Sequence, residues 1–289
     1  MIDAETRLCC LIGNPVRHSL SPRMHNAAFA ATGQNYRYFA FQVEKKDLQV
    51  AVSGLNVLGA RGFNVTIPHK VAVLGILDEI DATAVSAGAV NTVVANQNRL
   101  TGYNTDLEGF LQPLRRRGVG LQGLKVTILG AGGAARAAAR ALLSEGCASV
   151  TVLGRTPSKL RELSGALGES EGGELLAKDL TPANLQHATA ESGILVNATP
   201  IGMYPNTSQS PLPPNTLRKD LIAYDLVYNP VKTLFLRQAE EAGATVVPGY
   251  EMLVAQGAAA FRLWTNIDPP IQVMEKAVLE GLRGDEGQS

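Results

Sequence analysis

The sequence predicts an α/β protein with mostly parallel sheets, built as two successive αβ series. Three observations carry that expectation. Strand-length apolar runs alternate with helical patterns along the chain. The alternation restarts after a seam at about residue 105. The second series opens on a strand that runs into a glycine-rich turn and an alanine-rich helix, VTILGAGGAARAAARALL.

The elements follow in order. Arg7–Ile12 reads as a strand, followed by a helix from Pro22 to about Thr32, with Ser21 as its N-cap and Pro22 at its first position. A strand is expected at Tyr36–Gln42, a helix at about Lys46–Leu55, a strand at Gly62–Thr66 and a short helix from near Pro68. Ala89–Ala95 and Leu100–Gly102 around Asn96-Gln97-Asn98 form an expected antiparallel hairpin. Asp106–Arg116 reads as a helix and Gly118–Gly123 as a loop. The second series has strand Lys125–Leu129, helix Ala134–Leu143 and strand Ser149–Leu153, with later strands at Ile194–Asn197, Ile222–Leu226 and Thr245–Val247. Leu167–Gly173 is expected to be a surface loop. Two closing helices, about Met252–Trp264 and Ile271–Leu282, carry apolar residues at helical spacing, and the tail GDEGQS is expected to fray.

Composition narrows the function classes. A chain of 289 residues, 45% hydrophobic and 18% charged, has material for one large or two medium domains. Its 26 basic and 26 acidic residues cancel, so no global field draws it to nucleic acid or an anionic membrane. Cys9, Cys10 and Cys147 lack metal-ligand spacing, and the adjacent pair lies in the apolar run LCCLI, which reads as packing. The four histidines form no ligand-spaced group, so no metal is expected. No apolar run is long enough to span a membrane. The first strand follows almost directly on the N-terminus, so no targeting peptide is expected and the location expected is cytoplasmic.

The glycine-rich turn, Gly130-Ala131-Gly132-Gly133-Ala134-Ala135, fits G-x-G-x-x-[GA] in the strand–turn–helix setting of a Rossmann dinucleotide site. Gly130 permits the tight turn, Gly132 lets backbone approach a pyrophosphate at the helix N-terminus, and Ala135 allows close helix–sheet packing. The next strand ends in Gly154-Arg155-Thr156, with Ser158 and Lys159 following. An NAD site favours an acid there, for the ribose hydroxyls; an arginine suits the 2′-phosphate of NADP.

Four segments of the first series place short polar side chains at strand ends or helix starts. They are Ser19-Leu20-Ser21, Asn64-Val65-Thr66 with Lys70, Asn91-Thr92, and Asn104-Thr105-Asp106. Ligands of open α/β sheets sit at the carboxyl ends of strands, so these segments could converge. Each also has a structural reading: Ser21 as a cap, Asn91 satisfying a hairpin, Asp106 favoured by the helix dipole. Lys70 differs, because a cation in the first turn of the helix expected after Pro68 opposes the dipole.

These segments carry a resemblance. In order along nearly the whole chain stand IGNPVRHSLSPRMHN, GFNVTIPHK, GAVNTV, GYNTDLEGF, LGAGGAARA, GRT, VNATPIGM, YDLVYNP and GYEMLVAQGAAAFRLW. The chain resembles the shikimate 5-dehydrogenases, NADP-dependent oxidoreductases of aromatic amino acid biosynthesis.

The resemblance implies two α/β domains flanking a catalytic cleft, the second a Rossmann-like doubly wound parallel sheet. Residues 1–105 plus 250–289 would form the substrate domain and residues 106–249 the NADP domain. The implied reaction is reversible reduction of 3-dehydroshikimate to shikimate, by a monomer or homodimer. By motif position, Ser19 and Ser21 would bind the substrate carboxylate, with Tyr228 nearby. Asn64, Thr66, Asn91, Asp106 and Gln256 would hold the ring hydroxyls and the reacting oxygen, and Lys70 with Asp106 would be the catalytic pair. Gly130, Ala131, Gly132, Gly133 and Ala134 match the phosphate turn, and Arg155, Thr156 and Lys159 the 2′-phosphate clamp. Thr199, Met203, Gly249 and Met252 would line the nicotinamide end. The chain departs from the family at Gly154, where asparagine is common, and at Lys159, where arginine is common. Within the same family, a quinate/shikimate dehydrogenase that prefers NAD is the alternative; Ser21 and Arg155 favour shikimate and NADP.

Overall fold

A computed structural model describes residues 2–97, 99–168, 173–213 and 216–286. The chain divides into two compact units, Met1–Thr105 with Val254–Ser289, and Asp106–Leu253.

The first unit contains β1 (Arg7–Gly13), α1 (Ser21–Ala31), β2 (Tyr36–Gln42), α2 (Leu48–Val57), β3 (Gly62–Val65), β4 (Glu79–Ile80), α3 (Ala82–Ala87), β5 (Thr92–Asn96) and β6 (Arg99–Tyr103). Its sheet runs β2-β1-β3-β5-β6-β4. Only β5 opposes the common strand direction, pairing antiparallel to both β3 and β6. Alternation in β1 and β3 sorts side chains to two faces. Cys10, Ile12, Phe63 and Val65 pack with Leu48, Val52 and Leu55 of α2. On the other face Tyr38 meets the rings of His25 on α1 and Trp264.

The second unit contains α4 (Asp106–Arg116), β7 (Lys125–Leu129), α5 (Gly133–Ser144), β8 (Ser149–Gly154), α6 (Pro157–Leu167), β9 (Glu174–Asp179), α7 (Pro182–Glu191), β10 (Ile194–Asn197), β11 (Ile222–Asp225), α8 (Leu234–Glu241) and β12 (Thr245–Val247). All six strands are parallel, in the order β9-β8-β7-β10-β11-β12. Numbered from its own first strand, that is 3-2-1-4-5-6, the doubly wound order whose switch point lies between strands one and four. Leu114, Ala138 and Leu142 cover one face, and Phe235 and Leu236 the other. The helices α9 (Gly249–Thr265) and α10 (Ile271–Glu286) close the chain, and the boundary between the units falls within α9.

Several local expectations are revised. Ser21 is the first residue of α1 rather than its cap; Leu20 stands at the cap position without a side-chain bond. The Ser19 hydroxyl instead accepts from the Ser21 amide at 3.3 Å. No α-helix starts at Pro68. The carbonyl of Lys70 accepts from the Val90 amide at 2.8 Å, which removes it from any helical ladder, and only a 3₁₀ segment, Ala72–Ile76, follows. The dipole argument for Lys70 therefore lapses. The antiparallel strand of the hairpin begins at Thr92 rather than Ala89, and Asn98 of its turn lies outside the described residues. The loop expected at Leu167–Gly173 begins where α6 ends, and residues 169–172 lie outside the described set. The helix α10 continues through Glu286, and the remaining tail residues fall outside that set too.

All three cysteines are buried and free. Burial pushes the Cys147 thiol up to about 11, as packing residues require. Among the described residues no helix is long and apolar enough to cross a membrane.

Candidate active site

In the first unit, the polar segments at the ends of β3, β5 and β6 are joined by hydrogen bonds. Thr92 lies directly opposite Asn64 in the β3–β5 ladder. Asn64 donates through Nδ2 to the Thr92 hydroxyl at 2.9 Å and to the Asn91 carbonyl at 3.1 Å. Its Oδ1 accepts from the Tyr38 phenol at 2.7 Å. The Thr92 hydroxyl donates to Asn91 Oδ1 at 3.0 Å, and Asn91 Nδ2 donates to the Thr105 hydroxyl at 2.9 Å. The Thr105 amide returns to Asn91 Oδ1 at 2.7 Å. Ser21, Asn64, Asn91, Thr92, Thr105 and Asp106 are all buried. Buried polar groups survive only when so paired, and a paired set is held rigid.

Backbone bonds bring Lys70 to the same place. Val90 donates to the Lys70 carbonyl, and Val65 donates to the Asn91 carbonyl at 2.9 Å, so the segments around Thr66–Lys70 and Val90–Asn91 are stitched together. Thr66, half-buried, donates through its amide to the Ile12 carbonyl at 3.0 Å. Gln256 is a half-buried residue of α9 between the buried Ala255 and Ala258. Asp106 begins α4, where a carboxylate is favoured by the dipole. It belongs to the second unit, as does the half-buried Tyr228.

The second unit builds a different surface at its switch point. Gly130 follows β7 with φ +108°, and a Cβ there would lie 2.8 Å from the Ala198 carbonyl oxygen beyond the neighbouring β10. Only glycine permits that backbone and that approach. Ala131 is half-buried, while Gly132, Gly133 and Ala134 are exposed at the start of α5. Gly132 caps the helix without a side-chain bond, so first-turn amides face outward, a ready anion site. Arg155, Thr156 and Lys159 are exposed where β8 passes into α6. Gly154 is buried, and a Cβ there would come within 3.2 Å of Ala131 Cβ, so its bareness lets this strand end pack against the glycine turn.

Beside the switch point is a network that the sequence reading missed. Asp225, the last residue of β11, is fully buried. It accepts from Asn197 Nδ2 at 2.9 Å, the Val227 amide at 3.0 Å and the Thr233 hydroxyl at 2.5 Å. Asn197 also accepts from the Thr199 hydroxyl at 2.7 Å and amide at 3.1 Å, fixing the loop that carries Thr199 towards the exposed Met203. Burial pushes the Asp225 carboxyl up to about 6, against the pull of its three donors. The signal was an acid within the apolar run IAYDLV. Gly249 and the half-buried Met252 lie at the start of α9. A Cβ on Gly249 would meet the Val227 carbonyl oxygen at 2.5 Å.

Parallel strands in this order, with a glycine turn at the switch point, define the second unit as a Rossmann-like dinucleotide-binding domain. The chain belongs to the shikimate dehydrogenase family. Three family models match it: the shikimate dehydrogenase substrate binding domain over residues 11–93, shikimate / quinate 5-dehydrogenase over 114–203, and the shikimate 5′-dehydrogenase C-terminal domain over 249–279. It is 46% identical to the shikimate dehydrogenase (NADP(+)) of Moorella thermoacetica, covering 99% of this chain and 97% of the other. With the protein of the same name from Methanopyrus kandleri it shares 48% identity over 98% of each chain. Among solved structures it is similar to shikimate 5-dehydrogenase from Thermus thermophilus in complex with NADP(H) and shikimate. That likeness has a TM-score of 0.85 and 39% identity over 96% of this chain and 100% of the other.

Proposed function

We propose that the protein catalyses the NADP-dependent, reversible reduction of 3-dehydroshikimate to shikimate, a step of chorismate and aromatic amino acid biosynthesis, in the cytoplasm. The observation that carries this reading is near full-length identity of 46–48% to NADP(+) shikimate dehydrogenases. The first unit, with the C-terminal helices, takes the substrate, and the second takes the cofactor. Outward amides at Gly132–Ala134, a turn closed by Gly130, and exposed Arg155, Thr156 and Lys159 fit a pyrophosphate and a 2′-phosphate. Thr199, Met203, Gly249 and Met252 take the nicotinamide end.

When bound, NADP supplies or accepts the hydride at the substrate carbon. The chain's own groups do the rest. Ser19 and Ser21, with Tyr228, bind the carboxylate. Asn64, Thr66, Asn91 and Gln256 orient the hydroxylated ring, either by contact or by holding one another in place. Reduction of a ketone builds negative charge on its oxygen, and the Lys70 ammonium is the group that meets it and gives it a proton. Asp106 orients that ammonium and bonds the adjacent ring hydroxyl. In the oxidising direction the same pair takes the hydroxyl proton.

The test is an assay of shikimate and of quinate with NADP and with NAD, following the absorbance of the reduced cofactor. Turnover of shikimate with NADP is expected to dominate. Absence of turnover in protein that binds both ligands would leave a non-catalytic sensor, and faster turnover of quinate with NAD would move the chain to the quinate branch.

A further inference from the structure

Asp225 is a fully buried acid with no part in the proposed reaction, and two loops of the second unit are bonded to it. One loop leaves β10 and carries Thr199 and Met203; the other leaves β11 and runs through Val227 to Thr233, which caps α8. One Asp225 oxygen accepts from Asn197 Nδ2 and from the Val227 amide, and the other from the Thr233 hydroxyl. Backbone bonds complete the join. The Leu226 amide donates to the Asn197 carbonyl at 2.9 Å, and the Tyr204 amide to the Asn229 carbonyl at 3.0 Å. The first loop lies against the glycine turn, because a Cβ on Gly130 would stand 3.2 Å from the Thr199 methyl carbon. The second lies against the start of α9, where the bareness of Gly249 makes room for the Val227 carbonyl.

The hydrogens of this node have one arrangement. The Thr199 amide can only donate and the Ile201 carbonyl can only accept, so Asn197 turns Oδ1 to Thr199 and its NH₂ to Ile201 and Asp225. Both amide hydrogens are engaged, on the Ile201 carbonyl at 3.1 Å and on Asp225 at 2.9 Å. The Thr199 hydroxyl donates to Asn197 at 2.7 Å and accepts from the Ile201 amide at 3.2 Å. Its one hydrogen therefore serves the loop, and Thr199 shapes that loop by hydrogen bonding. Met203 and Tyr204 further along are exposed, so little apolar burial holds the tip, and the polar node at the root sets its path.

Resting on the reading given under Proposed function, we propose that Asp225 is a positioning residue for the nicotinamide end of the cofactor. Through Asn197 it holds the loop of Thr199 and Met203, and through the Val227 amide it holds the backbone beside Gly249. Buried itself, it acts only through these neighbours, and it fixes them relative to one another at the switch point.

Asn197→Ala removes the link between carboxylate and loop and leaves Asp225 its bonds to Val227 and Thr233. The value of kcat for shikimate oxidation is expected to fall about 10- to 100-fold, because a small misplacement of a reacting ring is costly. Affinity for adenosine 2′,5′-bisphosphate, which has the 2′-phosphate and no nicotinamide, should stay within about twofold, since its contacts lie elsewhere. Asp225→Ala should act alike, and the two together should cost less than their product, since both break one link. Asp225→Asn can keep its carbonyl oxygen on Asn197 and the Val227 amide, so its kcat should stay within about threefold of wild type. In the wild-type protein the Thr199, Ile201 and Val227 amides, each bonded to a side chain, should exchange hydrogen on the order of 10²-fold slower than in an unfolded chain. That measurement decides the matter even where an alanine variant fails to fold. The proposal is overturned if kcat of Asn197→Ala stays within about twofold of wild type, or if affinity for the bisphosphate falls with it, as general loosening would cause. It is also overturned if Asp225→Asn loses as much as Asp225→Ala, if the two alanine effects simply multiply, or if those three amides exchange freely. An unchanged kcat in Asn197→Ala removes the proposal alone; wild-type protein that fails to oxidise shikimate removes the reading beneath it as well.

Discussion

Asn64 and Asn91 in the first unit are buried, their amides engaged with Tyr38, Thr92 and Thr105. Arg155, Thr156 and Lys159 in the second unit stand in solvent at the end of β8. Under the proposed function, the contrast follows from what each set would have to recognise. A ring acid with several hydroxyls presents neutral donors and acceptors in a fixed pattern, so the complementary groups must be held in place before the ligand arrives. A phosphate carries charge that acts at a distance, so long exposed side chains and helix amides suffice. The second unit adds a third kind of group, the buried carboxylate of Asp225, held by the neutral donors of Asn197, Val227 and Thr233. Substitutions among the buried amides of the first unit should therefore act sharply and with little dependence on salt or pH, and those in the second unit should reveal one or the other.

The largest effect is expected at Lys70. Lys70→Met keeps the length of the side chain and removes the charge and the proton. It should lower kcat by on the order of 10²–10⁴-fold, the usual worth of a positioned acid. KM for shikimate should change far less, because the ammonium is needed most where the oxygen carries charge. Near-normal turnover in Lys70→Met would transfer the proton to some other group and make the first unit a binding surface only.

Next in size is the pH dependence that Asp225 imposes on stability. Its carboxyl titrates near 6 in the folded chain, against a usual value of 3.8. A raised carboxyl binds its proton more tightly when folded, so its contribution to stability is full below about pH 4. That contribution is lost as pH rises to about 6, by up to roughly 3 kcal/mol in all. Asp225→Asn cannot titrate and can keep its carbonyl oxygen on Asn197 and the Val227 amide. The difference in unfolding free energy between variant and wild type should therefore drift in the variant's favour from about pH 4 to about pH 6.5. A flat difference, measured by urea unfolding across that range, would mean that the three donors already hold the carboxylate charged.

The parts of this fold that were legible in sequence are those set by local pattern. The strands β7, β8 and β10 are short runs dominated by Val, Ile and Leu, and the glycine turn announces α5. Edge elements escaped, because β9 is ELLAKD with no fully buried residue and β4 has only two residues. The helix α7 buries only Thr189, so it has no apolar stripe to find, although Thr181 before Pro182 was an available start signal. The helix expected at Pro68 failed for a non-local reason, since the amide that takes the Lys70 carbonyl comes from Val90. Partners distant in sequence also explain the two missed residues. Tyr38 meets Asn64 26 positions away, and Asp225 meets Asn197 28 positions away. Motif reading collected residues that look chemical, and it passed over a tyrosine in a strand and an acid in an apolar run that hold those residues in place.

The smallest effect should come from the exposed clamp. Arg155→Ala removes an exposed guanidinium that makes no hydrogen bond or ion pair among the described residues, so stability should be unaffected. Affinity for NADP should fall roughly tenfold, the lower range for a charge-assisted bond because water competes at an exposed site. Affinity for NAD, which lacks the 2′-phosphate, should stay the same. The dependence of NADP affinity on salt should also shrink, since one screened charge pair is gone. Lys159 remains as a point charge beside the vacated position, and this caps the loss. Titrating both cofactors into wild type and variant at low and high salt separates the outcomes. Equal weakening for NAD and NADP would place Arg155 on the part of the cofactor that the two share, and the contrast between the buried and exposed recognition surfaces would then lose its cofactor half.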